Sequence, residues 1–98
     1  MVAVKIQSMF DFVEIFGQPE VKIDVKENTS IKDLLLLLIN QYGEKLKEKM
    51  IDPKTGDVFE HLEILCNGRN IKFLHGNDTT LREGDSVTIF VPIGGGSL

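Results

Sequence analysis

Ser86-Val87-Thr88-Ile89-Phe90-Val91-Pro92-Ile93-Gly94-Gly95-Gly96-Ser97-Leu98 is the stretch from which the fold is read. Val87, Ile89 and Val91 alternate with Thr88, Phe90 and Pro92, which is the period of a β-strand with one face turned to a core. Pro92 cannot donate to a sheet ladder and ends the strand. Three adjacent glycines follow almost at once. They bring no side chains to a core and are entropically costly to order. A strand that hands over directly to a bare thread predicts a folded body ending in a flexible tail, residues 94–98. Such a tail is suited to entering a narrow active site on another protein.

Working back from this strand, Thr79 to Asp85 reads as one turn of helix closed by a turn containing Gly84. Asn67-Gly68 is the strongest hairpin signal in the chain. It is expected to join a strand with Leu62, Ile64 and Cys66 inward to a short partner running from Arg69 to Phe73. Asp52 to Asp57 is a loop by composition. Ser30 is a good N-cap with Asp33 three residues on, so a helix begins near Ile31 and carries Ile31, Leu34, Leu35, Leu38 and Tyr42 on one stripe. Gly43 ends or bends it. Leu36 and Leu37 fall off that stripe and are either partly buried by a second short helix or a contact surface; the first is favoured, because a helix-prone segment from Glu44 to Met50 offers Leu46 and Met50 as cover. Val21, Ile23 and Val25 alternate cleanly. So do Val2, Val4, Ile6 and Ser8, and the two runs should pair as an antiparallel hairpin. Phe10 to Gly17, between them, reads as a turn region plugged by Phe10, Phe12, Ile15 and Phe16.

The order is strand, strand, helix, strand, short strand, strand, with the first and last strands as candidates for the sheet centre. This predicts an α+β domain over residues 1–93, a mixed sheet of four to five strands with the main helix across one face. The composition agrees: 98 residues, 42% hydrophobic and 27% charged, fit one ordinary globular domain. The formal net charge of −4 and the lack of a basic cluster argue against a nucleic-acid footprint. No apolar run is long enough for a membrane span, no signal segment opens the chain, and a single cysteine suits a reducing compartment, so a cytoplasmic protein is expected.

Few side chains suggest chemistry of their own. Cys66 reads as a small core residue. His61 and His75 lack a cysteine pair nearby, so no metal site is expected. Lys45, Lys47, Lys49 and Lys54 read as exposed lysines. Phe90 is out of phase with Val87, Ile89 and Val91. On an uncovered sheet face it would mark a docking patch beside the tail, and on a covered face it would be ordinary packing.

Asn67-Gly68-Arg69, Leu81-Arg82-Glu83-Gly84-Asp85 and Val87 to Gly96, taken in that order, resemble the MoaD family of sulfur carriers. That group includes the small archaeal ubiquitin-like modifiers and is related to ThiS. The likeness covers nearly the whole chain, including an aromatic turn before Gly17. It implies a ubiquitin-like β-grasp with strand one beside strand five in parallel. It also implies a carrier or modifier rather than an enzyme, with no bound cofactor. An ATP-using enzyme of the MoeB, ThiF or ubiquitin-activating type would adenylate the terminal glycine. The product would be a thiocarboxylate for molybdopterin synthesis with a MoaE-like synthase subunit, or a link to lysines of target proteins. The family's Pro-x-x-Gly-Gly pattern puts the reactive glycine at Gly96 and its companion at Gly95, with Gly94 completing the passage. Beside it Phe90, Pro92 and Ile93 are candidate partner contacts, and Arg69 is either such a contact or a solvated hairpin arginine. Ser97 and Leu98 depart from the pattern. Either a protease removes them, or they are not native to the chain, or the chain is not conjugated. The rival expectation is a β-grasp interaction module whose tail does no chemistry.

Overall fold

The computed structural model describes residues 1–92; Ile93 to Leu98 lie outside the described residues. In chain order the elements are β1 (Val2–Ser8), α1 (Asp11–Phe16), β2 (Glu20–Val25), α2 (Ile31–Tyr42), α3 (Glu44–Met50), β3 (Glu63–Cys66), β4 (Arg69–Asn70) and β5 (Ser86–Phe90). The five strands form one mixed sheet in the order β2-β1-β5-β3-β4. β1 and β2 pair antiparallel from Val2 opposite Val25 to Gln7 opposite Glu20. β1 and β5 pair in parallel, with Ile6 opposite Val87 and Ser8 opposite Ile89. β3 runs antiparallel to β5, Ile64 facing Ile89. The terminal strands thus occupy the centre, the arrangement of a ubiquitin-like β-grasp.

Alternation sends Val4, Ile6, Val25, Ile64, Val87 and Ile89 to one face of the sheet, where α2 buries Ile31, Leu34, Leu35 and Leu38. Lys5, Gln7, Lys22 and Asp24 stand exposed on the other. Ser30 caps α2 as its sequence suggests, its Oγ accepting the Asp33 N–H at 3.1 Å. Ser30→Ala should therefore lower unfolding free energy by about 1 kcal/mol, seen as a lower urea midpoint at an unchanged m-value. Gly43, at φ 85°, closes α2 with its N–H donating to the Ile39 carbonyl.

Four expectations are corrected. Phe10 to Gly17 is not a mere turn: Asp11–Phe16 is a helix that buries Phe12 and Phe16 and stops at left-handed Gly17. The partner strand after Asn67-Gly68 stops at Asn70, because the Asn70 side chain accepts the Lys72 N–H at 2.9 Å and starts a 3-10 turn over Ile71–Phe73. Thr79 to Asp85 forms no helical turn. Thr79 to Leu81 are held extended, with Ile31 N–H donating to Thr79 O and Leu81 N–H donating to Thr29 O, both at 2.8 Å, while the expected turn at Gly84 is present, closed by Asp85 N–H donating to Arg82 O at 3.1 Å. Finally, α3 does not cover Leu36 and Leu37. Leu46 and Met50 join the core that α2 already lines, and Leu36 remains 53% exposed.

Candidate functional site

β5 delivers the chain to its C-terminal arm. It is hydrogen-bonded on both sides, and Val87 and Ile89 are fully buried beneath it. Its direction and position at Pro92 are therefore set by the rigid middle of the sheet. Val91 is half-buried and Pro92 exposed. Ile93, Gly94, Gly95 and Gly96, named above as contact, passage and reactive residue, lie outside the described residues, as do Ser97 and Leu98.

The face of the sheet opposite the core carries Thr88 and Phe90 of β5. Thr88 stands between Gln7 and Leu65, and Phe90 stands opposite Glu63. The Thr88 hydroxyl donates to Gln7 Oε1 at 3.3 Å, and Gln7 Nε2 donates to Glu20 Oε1 at 3.4 Å. Asn70 Nδ2 donates to the Glu63 carboxylate. The charged and polar residues of this face are solvated, and Leu65 and Phe90 are half-buried among them. Phe90 thus lies on the face away from the helices, two residues before Pro92. Arg69 is brought elsewhere. It pairs with Cys66, which pairs with Val87 near the start of β5, so it sits at the end of the sheet away from the tail.

A groove of about 440 Å³ opens beside Val91 and Pro92, the last of the described residues. Val91 and Pro92 line it together with Phe10, Phe59, His61 and Lys49. The Phe59 and His61 rings stack with centroids 4.8 Å apart. Lys49 Nζ pairs with Asp11 Oδ2 at 3.1 Å, both largely exposed, so the pair adds little stability. Nothing in the spacing of the sequence gathers these residues. Phe10 and Phe59 come from separate loops, and the only visible signal is aromatic residues in segments without strand or helix periodicity.

Among the described residues the one cysteine, Cys66, is not poised as a nucleophile. Cys66 is buried, and burial, followed by the nearby Asp85 carboxylate, pushes its thiol above the ordinary range. A thiol of this kind is inert at neutral pH. Because its ionisation is disfavoured more in the folded than in the unfolded chain, stability should hold up to the ordinary thiol range of about 8.5 and fall as pH rises beyond it. A Cys66→Ala chain should show a shallower alkaline decline in thermal-melt profiles. Among the described residues no group of three or more His, Cys, Asp or Glu side chains could hold a metal ion, and no helix is long and apolar enough to cross a membrane.

The pattern of the ThiS family matches residues 11–96. The chain belongs to the ThiS family. Small archaeal modifier protein 3 of Haloferax volcanii is 34% identical over 85 residues, which cover 87% of this chain and 89% of that protein. A provisionally named sulfur carrier protein of Archaeoglobus fulgidus is 33% identical over 80 residues, covering 82% and 88%. The solution structure of small archaeal modifier protein 1 from Methanosarcina acetivorans superposes with a TM-score of 0.79 at 28% identity, covering 97% of each chain. The fold is therefore the ubiquitin-like β-grasp. Within this ThiS-family chain, what the body contributes is an arm held by a central strand, an aromatic groove at its root and a half-exposed phenylalanine beside it.

Proposed function

We propose that this chain is a sulfur carrier or protein modifier acting through the carboxylate of Gly96, once Ser97 and Leu98 have been removed. The observation that carries this reading is the extent of the ThiS-family match, which runs through all three tail glycines and stops at Gly96. Relatives named as small archaeal modifier proteins and as a sulfur carrier support it.

A carboxylate is a poor electrophile. In the proposed reaction its oxygen attacks the α-phosphate of ATP in the active site of a MoeB- or ThiF-type enzyme, and pyrophosphate leaves. The acyl adenylate then loses AMP to an incoming nucleophile. A hydrosulfide-level sulfur leaves a thiocarboxylate, ready for a MoaE-like synthase subunit; a lysine amine leaves an amide to a target protein. The chain needs no general base, because the partner carries the catalytic groups. Glycine at 94, 95 and 96 keeps the approach to the carbonyl carbon open and the backbone unrestricted. Phe90, on the outer face, and Pro92 lie where that partner would rest, whereas Arg69 is too far along the sheet to share a compact contact around the arm.

The test is intact mass after a chain ending at Gly96 is incubated with ATP, an activating enzyme and a sulfur source. Exchange of one oxygen for one sulfur at the terminus is expected. A chain that remains unchanged, while a relative of known competence reacts in the same mixture, would instead indicate an interaction module with a chemically idle tail.

A further inference from the structure

Phe10 has a backbone that suits glycine. Its φ of 57° and ψ of −127° match the first central position of a type II′ turn. The turn is closed by the Phe12 N–H donating to the Met9 carbonyl at 3.2 Å. Bulky residues are rare at positive φ, and such a conformation is strained. The ring that this turn holds remains 47% exposed. The turn thus presents a partly exposed phenylalanine on the wall of the groove that Val91 and Pro92 also line.

The length of the tail limits what that ring faces. Gly96 is four residues beyond Pro92, so it reaches at most about 14 Å from it. An enzyme that holds the Gly96 carboxylate at its reacting centre must bring its surface against the root of the tail. The groove mouth formed by Phe10, Phe59 and Pro92 is then covered. We propose that Phe10 is a specificity-determining residue, its ring gripped by an apolar recess of the adenylating enzyme beside the channel that takes the tail. This inference rests on the function proposed for Gly96 and adds the side chain by which the enzyme selects this carrier.

The experiment compares chains ending at Gly96 with Phe10, Phe10→Gly, Phe10→Leu and, as a control, Phe73→Ala, whose 81% exposed ring lies outside the groove. Adenylation by the activating enzyme is followed by ATP–pyrophosphate exchange, and each chain is melted. Phe10→Gly is expected to melt no lower than the parent, because the turn is relieved, yet to raise KM roughly tenfold or more with kcat within about twofold, as for an aromatic anchor removed from an interface. Phe10→Leu should recover part of the loss, and Phe73→Ala should lose nothing. An unchanged KM for Phe10→Gly overturns the inference. So does a KM increase accompanied by a lower melting temperature, which would make the ring structural. If the parent chain itself exchanges no pyrophosphate, it is the reading of Gly96 that fails.

Discussion

A chain ending at residue 96 and carrying Gly96→Ala is expected to lose about 100-fold or more in kcat/KM for adenylation while melting at the parent temperature. Both halves have a physical basis. Among the described residues the core runs from Val4 to Ile89 and is closed by β5, so a methyl group at position 96 is expected to leave its packing unchanged. At the reacting centre, by contrast, the added Cβ sits on the atom next to the carbonyl carbon. It narrows the approach of the α-phosphate and limits the backbone to conformations that glycine is free to leave. Displacement of a reacting group by about 1 Å is enough for a loss of this size. Gly94→Ala, farther from the carbon under attack, should lose less. Pyrophosphate exchange and thermal melts on the same preparations measure the two halves. A Gly96→Ala chain activated at the parent rate would remove the basis for assigning Gly96.

The second large effect is on stability. Leu38 is fully buried between α2 and the sheet, and Leu38→Ala should cost about 2–5 kcal/mol, from lost transfer energy and the cavity left behind. A small domain has about 5–15 kcal/mol in all, so this is a large fraction of it. At about 4–8 °C per kcal/mol, the melting temperature should fall by at least about 8 °C. Two residues earlier on the same helix, Leu36→Ala should stay within about 0.5 kcal/mol, because that side chain faces solvent. Denaturant titration of both variants reads the contrast. Similar losses for the two would mean that something buries Leu36 in solution.

That contrast also shows how far the sequence could be read. The strands were legible because Val21, Ile23 and Val25, or Val87 and Ile89, carry a period of two that no helix reproduces. α2 was legible from Ser30 and the stripe of Ile31, Leu34, Leu35 and Leu38. The fate of Leu36 and Leu37 was not, since local pattern gives the angle between α2 and α3 no mark, and α3 turned its Leu46 and Met50 into the shared core. α1 escaped because six residues are too few to show a period and because no capping side chain announces it. The turn at Gly84 was legible, but Thr79 to Leu81, read as a turn of helix, are held extended by tertiary hydrogen bonds to Thr29 and Ile31. Of the site, the glycines were read from composition, and Phe90 and Pro92 from their place in the last strand. The groove was invisible, because Phe10 and Phe59 meet only after the chain has folded.

The parallel pairing of β1 with β5 has a consequence for biosynthesis. Lys5 lies opposite Ser86, so the middle of the sheet joins the first of the five strands to be made to the last. A nascent chain from which β5 has yet to emerge has β1 and β2 but an empty slot between β1 and β3. Contacts of such wide separation also slow folding once the chain is free. A prematurely terminated product would lack the strand that fills the slot, and with it the arm, so an incomplete copy could neither assemble this body nor offer an end for activation.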